Sequence, residues 1–243
     1  MKIPPAGLPL SPAVYQGSCF DLLRHVPDSS VQLLLCDPPY DTGREDNLET
    51  MGRTSMNYPW DGPIDNMQWL VLADHALKPG GSIVCFYDWK KINELMNIVE
   101  IELGYVVKRP IVWRKLNPFP GNRASLPVST IEMGFWAVKP GAKWVFNCPE
   151  HLTYADFLWF DMGVPRTGKG KPRHEAMKPE DLFGDLIKIL TNPGDVVLDP
   201  FCGSGTTAVA AARRGRIPIC FELDEGWARE ASRALRSAQR SSP

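Results

Sequence analysis

The chain has 243 residues, enough for one α/β domain with elaborations. Hydrophobic residues make up 44% and charged residues 23%, which excludes a disordered chain, and no apolar run reaches membrane-spanning length. The formal net charge of −1 excludes a uniformly basic coat, so a nucleic-acid face would have to gather its positive charge locally.

In chain order, the N-terminus MKIPPAGLPLSP has too many prolines and too short an apolar stretch for a secretory leader, which predicts a cytoplasmic protein. Val31–Cys36 is a buried strand by composition and runs directly into Asp37-Pro38-Pro39-Tyr40. Residues 41–63 are polar, turn-rich and too long for an ordinary connection, which predicts a mobile functional loop. A helix over Ile64–Leu77, a strand over Ser82–Tyr87 and a helix over Trp89–Leu103 follow, then strands over Tyr105–Trp113 and Ile131–Val138. Asn147–Arg173 mixes aromatics with Gly, Pro and basic residues and has no period; it is the candidate for an inserted recognition element.

Pro179–Leu190 reads as a helix with Pro179 at its first position and Glu180 and Asp181 near the positive end of its dipole. The strand Val196–Leu198, the helix Thr206–Arg214 stopped by Gly215, the strand Ile217–Phe221 and the helix Glu225–Arg240 with Asp224 as N-cap complete the pattern. Strands alternating with helices predict βαβ construction around a mostly parallel sheet with helices on both faces, in a single domain over 1–243 without internal repeats.

Two stretches could supply local positive charge: Lys108, Arg109, Arg114, Lys115 and Arg123, and Arg166, Lys169, Lys171, Arg173 and Lys178. On charge alone an ordinary solvated surface explains them equally well. The cysteines at 19, 36, 85, 148, 202 and 220 are scattered without a CxxC pair and lie mostly in apolar runs; they are expected to be buried free thiols, with no metal site.

Two segments carry chemistry. Asp195–Thr207 (DVVLDPFCGSGTT) is a strand, a glycine turn and the start of an Ala-rich helix, and Gly203 and Gly205 let the backbone approach a ligand closely. The next strand ends in Glu222, placed to accept both hydroxyls of a ribose, as in Rossmann-like nucleotide sites. No lysine follows the glycines, which disfavours a phosphate-cradling P-loop, and alanine stands at the third place of a GxGxxG pattern. In the other segment, consecutive prolines hold the chain extended at the C-terminal edge of the sheet, where open α/β folds bind ligands. Asp37 there offers a carboxylate, Pro38 a carbonyl and Tyr40 a stacking ring; alone, the tetrapeptide reads as a proline-rich loop.

Asp37-Pro-Pro-Tyr40 together with Asp199-Pro-Phe-Cys-Gly-Ser-Gly205 resembles the DNA amino-methyltransferases, which make N6-methyladenine or N4-methylcytosine. The tetrapeptide precedes the glycine turn, which is similar to the β class of that family and implies a Rossmann-like methyltransferase fold with circularly permuted motif order. Leu77-Lys-Pro-Gly-Gly81, Ile111–Pro118, His174–Pro179 and Thr191–Asp195 resemble further family segments, so the likeness runs from about Tyr15 to about Ala231 with 141–172 unplaced. The chain departs at Glu175 and Ala176 in its HPTQKP-like segment, and at Gly17-Ser18 where members often carry Gly-Asp; Asp21 is the candidate to supply that carboxylate.

The resemblance implies S-adenosyl-L-methionine as cofactor and double-stranded DNA as partner. It places the chemistry on Asp37, Pro38, Pro39 and Tyr40: Asp37 and the Pro38 carbonyl would accept the two N–H bonds of a flipped base's amine. The cofactor would sit on Asp199, Pro200, Phe201, Cys202, Gly203, Ser204, Gly205, Thr206, Thr207, Glu222, Leu223 and Lys178. DNA would be held by Arg114, Lys115, Arg123, Arg166, Lys169, Lys171 and Arg173, with 141–173 as a small target-recognition insertion. Asp at the first tetrapeptide position leans toward adenine N6 over cytosine N4. An RNA or protein-glutamine substrate is disfavoured by the motif order, and a silent DNA-binding subunit by the intact motifs. A homodimer and a cognate restriction enzyme are further partners the family suggests.

Overall fold

The computed structural model describes residues 7–40, 63–118, 130–147, 158–165 and 177–241. Its strands are β1 (Ala13–Gln16), β2 (Val31–Cys36), β3 (Leu77–Tyr87), β4 (Val106–Lys115), β5 (Ile131–Val138), β6 (Leu158–Met162), β7 (Val196–Asp199) and β8 (Ile217–Glu222). Its α-helices are α1 (Cys19–Leu22), α2 (Asn66–Asp74), α3 (Ile92–Asn97), α4 (Glu180–Leu190), α5 (Thr206–Ala212) and α6 (Glu225–Ser241). The eight strands form one sheet in the order β1-β8-β7-β2-β3-β5-β4-β6, and β5 alone runs against the rest. This is the mostly parallel architecture the alternation predicts and the Rossmann-like fold the resemblance implies.

Burial on both faces explains why the central strands are almost wholly apolar. Leu34 and Cys36 of β2, Ile83 and Cys85 of β3 and Leu198 of β7 face a core shared with α1, α2 and α3. Leu33, Leu35, Val84, Phe86 and Val197 face the opposite core, shared with α4 and α5. A register shift between Val31 and Leu33 lets Val31 join the first core although alternation from Leu33 would place it on the second. Helix α6 covers β8 through Ala231 and Leu235 against Cys220. Cys19, Cys36, Cys85, Cys202 and Cys220 are free and buried, and Cys148 lies outside the described residues.

Several boundaries move for local reasons. The helix expected over 64–77 is confined to 66–74, because the Asp65 carboxylate accepts the Gln68 N–H at 2.9 Å and caps it there, while β3 already pairs with β2 at Leu77. The helix expected from Trp89 starts at Ile92, since residues 88–91 form a turn in which the Asp88 carbonyl accepts the N–H groups of Lys91 and Ile92. Its last stretch, Ile98–Glu102, widens into a π turn. Pro179 stands just outside α4, with φ −59° and ψ 134°. Asp224 caps α6 through the Trp227 N–H at 2.8 Å, and Gly215, at φ 70°, ends the helical path after α5. Strands β1 and β6, both short, are not predicted by the sequence pattern. In its described part the 141–173 stretch contributes β6, an edge strand paired with β4. Of the 41–63 loop only Pro63 lies within the described residues.

The turn from β7 to α5 is tied to α6 through Gly205. Its φ is +91°, and a Cβ there would lie 2.8 Å from the Ala231 Cβ. Gly205→Ala is therefore expected to destabilise the protein by about 2–4 kcal/mol, from left-handed strain and overpacking together. A urea midpoint within error of wild type would contradict this packing.

Candidate active site

Strands β2 and β7 are parallel neighbours with Leu34 opposite Leu198. Asp37 lies three residues beyond Leu34 and Phe201 three beyond Leu198, so the tetrapeptide and the glycine turn leave adjacent strands at the same level of one sheet edge. Neighbouring strands are about 4.8 Å apart. A chain of side-chain contacts links the two. The Tyr40 ring meets Tyr87 edge-on at 5.3 Å between centroids. The Tyr87 hydroxyl accepts from Asn66 Nδ2 at 3.0 Å, Asn66 Oδ1 accepts from Trp69 Nε1 at 2.9 Å, and the Trp69 ring meets Phe201 edge-on at 5.3 Å. Tyr87, Asn66 and Trp69 were not singled out in the sequence, because each reads as an ordinary strand-end or helix residue until α2 is docked.

The glycine turn is braced from below. Asp199 is buried; its carboxylate accepts the Phe201 N–H at 2.9 Å and the Thr207 hydroxyl. Thr207 is itself fully buried, so Asp199 and Thr207 hold the shape of the turn. The exposed side is built differently. A Cβ on Gly203 would meet nothing within 4 Å, so open space lies above that residue. Glu222 accepts the Gly203 N–H through Oε2 and the Asp224 N–H through Oε1, both at 2.8 Å. A carboxylate has about four acceptor sites, so two remain. Leu223 beside it is 69% exposed, an apolar surface at the mouth. Gly17, at the end of β1, donates its N–H to the Glu222 carbonyl at 2.9 Å, which brings the Gly17-Ser18 segment to the same rim. There the Ser18 hydroxyl caps α1 by accepting the Phe20 N–H, and Asp21 is exposed in the first turn. Open space over a glycine turn, a carboxylate with spare acceptor sites and an exposed apolar side chain fit a nucleoside-bearing cofactor such as S-adenosylmethionine.

At the tetrapeptide, the Tyr40 hydroxyl donates to Asp37 Oδ1. Pro38 is buried, and Asp37 and Pro39 are partly so. Lys178, expected on the cofactor side, has its ammonium on the tetrapeptide instead. It is 4% exposed, donates to Asp37 Oδ2, lies 3.3 Å from the Tyr40 hydroxyl and sits 2.9 Å from Glu132 Oε2. Glu132 was not foreseen; the one sign of it is an acid near the start of an otherwise apolar strand. Burial pulls Lys178 toward neutrality, but Asp37 and Glu132 outweigh it and hold the ammonium above its ordinary pKa. Burial pushes Asp37 up, Lys178 opposes this and Glu132 adds to it, and the balance stays raised. Burial would also raise Glu132, but Lys178 and Lys115 bring it down to about 2.

Arg114 and Lys115 end β4 and each faces an acid. Arg114 donates to both carboxylate oxygens of Asp161, at 2.8 and 2.5 Å, and Lys115 lies 2.7 Å from Glu132 Oε1. Arg123, Arg166, Lys169, Lys171 and Arg173 lie outside the described residues. Among the described residues no three His, Cys, Asp or Glu side chains gather as metal ligands, and no helix is long and apolar enough to cross a membrane.

Burial raises the Asp199 carboxyl to about 7. Ionising it is then harder in the folded than in the unfolded chain, so folding is penalised increasingly as pH rises from about 4 to 7. Asn at 199 can still accept the Phe201 N–H and can donate to Thr207. Asp199→Asn should therefore gain on wild type by up to about 1.4 kcal/mol per pH unit across that window, read from urea unfolding at several pH values. A pH-independent difference would contradict this.

Comparison with known proteins agrees with this geometry. A family model described as DNA methylase matches residues 31–233. The Type II methyltransferase M.HinfI of Haemophilus influenzae is 28% identical over 92% of this chain and 68% of its own length. The M1.HpyAVI–SAM complex superimposes with a TM-score of 0.73 at 30% identity, covering 92% of this chain and 98% of that one. A cytosine-N4-specific PvuII DNA methyltransferase shares the fold with a TM-score of 0.71 at 18% identity.

Proposed function

The chain belongs to the DNA methylase family that modifies N6 of adenine or N4 of cytosine, and from this premise we propose that it methylates adenine N6 in double-stranded DNA. The carrying observation is the emergence of Asp37–Tyr40 and the Gly203 turn from adjacent parallel strands at one edge. The preference for adenine rests on Asp37, a carboxylate at the first tetrapeptide position.

When bound, S-adenosylmethionine supplies a methyl group on a positively charged sulfur. Glu222 accepts the ribose hydroxyls with its two remaining acceptor sites, Leu223 offers apolar surface to the purine, and the open space over Gly203 admits the ligand next to the backbone. Asp199 and Thr207 act indirectly, by holding the turn.

An exocyclic amine is a poor nucleophile because its lone pair is delocalised into the ring, and inside a duplex it is out of reach, so the base is flipped out. Tyr40 stacks on the flipped base and offsets part of that cost, at about 1–3 kcal/mol. Asp37 accepts one N–H and the Pro38 carbonyl the other, which draws the nitrogen toward tetrahedral geometry and frees its lone pair. No covalent enzyme intermediate is needed; positioning and electrostatics carry the reaction. Phosphate contacts by Arg114 or Lys115 would compete with Asp161 and Glu132, so these cations are weaker DNA anchors than their charge alone suggests.

A hydrogen bond to an ionised acceptor contributes about 1.5–3 kcal/mol. Asp37→Ala should slow single-turnover methyl transfer to DNA by about ten- to a hundredfold or more while binding S-adenosylmethionine normally; undiminished transfer removes Asp37 from the chemistry. Glu222→Ala should weaken S-adenosylmethionine binding by about tenfold or more in isothermal titration, and unchanged affinity refutes the ribose placement. Nucleoside mass spectrometry of DNA methylated by the wild type should show N6-methyladenine. N4-methylcytosine would overturn the choice of base while leaving the family intact.

A further inference from the structure

A row of alternating charges runs back from the tetrapeptide: Asp37, Lys178, Glu132 and Lys115. They come from the position just after β2, the segment before α4, the start of β5 and the end of β4. Glu132 Oε2 lies 2.9 Å from the Lys178 ammonium yet makes no aligned hydrogen bond, whereas Lys178 is hydrogen-bonded to Asp37. Lys178 is thus shared between two carboxylates, one in the tetrapeptide and one behind it.

We propose that Lys178 and Glu132 are positioning residues for Asp37: Lys178 anchors Oδ2 and keeps the carboxylate an anion, and Glu132, itself held by Lys115, prevents Lys178 from neutralising it. The proposal rests on the reading of Asp37 as acceptor of the target amine.

The chemistry requires this division. Asp37 must be ionised to accept an N–H, and it sits where burial favours the neutral form. Lys178 counters that burial. A single lysine paired only with Asp37 in a dry pocket would go too far the other way, drawing electron density toward itself and away from the amine. Glu132 takes part of the ammonium's field. With Tyr40 on Oδ1 and Lys178 on Oδ2, the carboxylate is held at both oxygens and keeps about two acceptor sites for substrate.

The two neighbours push Asp37 in opposite directions, and that gives the test. Other ionisable groups facing this cluster are Tyr40, Asp199, Cys36 and Cys85. They are common to every variant, so shifts relative to wild type report on the row itself. The full chain and its Lys178→Gln, Lys178→Arg and Glu132→Gln variants would be assayed for S-adenosylmethionine affinity and for single-turnover methyl transfer to DNA across pH.

All variants are expected to bind S-adenosylmethionine within about twofold of wild type, which also shows that they are folded. Lys178→Gln should lose at least tenfold in rate at neutral pH, with the acidic limb of its profile moved to higher pH. Glu132→Gln should lose severalfold in rate with that limb moved to lower pH, and Lys178→Arg should restore the wild-type limb. Limbs that stay in place or move in the same direction overturn the proposal. So does a loss of cofactor affinity in the Lys178 variants that accounts for their slower transfer. A wild-type protein that transfers no methyl to DNA would instead overturn the underlying reading of Asp37.

Discussion

The parallel pairing of β2 with β7 is the constraint on which the site depends. Both strands are buried on both faces, so neither can slip by one residue without turning a row of leucines and valines into the wrong core. That register sets Asp37 and Phe201 side by side, although 164 positions separate them in the chain (201 − 37). Each strand then ends in a segment with little freedom: two prolines after β2, and after β7 a glycine turn braced by Asp199 and Thr207. The relay from Tyr40 through Tyr87, Asn66 and Trp69 to Phe201 closes the arrangement from the α2 side.

Electrostatics does the rest of the preparation. Lys178, Glu132 and Lys115 alternate in sign behind Asp37, and in the proposed account Lys178 offsets the burial that favours the protonated form of that carboxyl. On the cofactor side two acids have different tasks. Asp199 is sealed under the turn and shapes it; Glu222 stands at the mouth with acceptor capacity to spare. The two roles follow from burial, since both carboxylates already hold two hydrogen bonds.

Much of this was legible before the structure. Val31–Cys36 is apolar enough, and Ile131–Val138 and Ile217–Phe221 β-branched or aromatic enough, to read as strands, and the two motifs identify the family. Positions that depend on tertiary pairing were not legible. Strands β1 and β6 are too short to carry a period of their own and exist because an edge accepts them. The resemblance places Lys178, within the HPTQKP-like segment His174–Pro179, at the cofactor, but its direction is set by Asp37 just after β2 and Glu132 of β5, which no local pattern brings together. Glu132 was invisible for the same reason. Nothing in the sequence around Arg114 and Lys115 signals that Asp161 and Glu132 lie across from them.

The most direct test of the central claim, that the tetrapeptide and the glycine turn form one site, is a crystal structure of the chain with S-adenosylhomocysteine. Room for one amine, within near-attack distance of a methyl and hydrogen-bonded to Asp37, places the sulfur within about 8 Å of the Asp37 carboxylate, above Gly203. A sulfur more than about 12 Å from Asp37, or a ligand seated away from the Gly203 turn, would contradict the account.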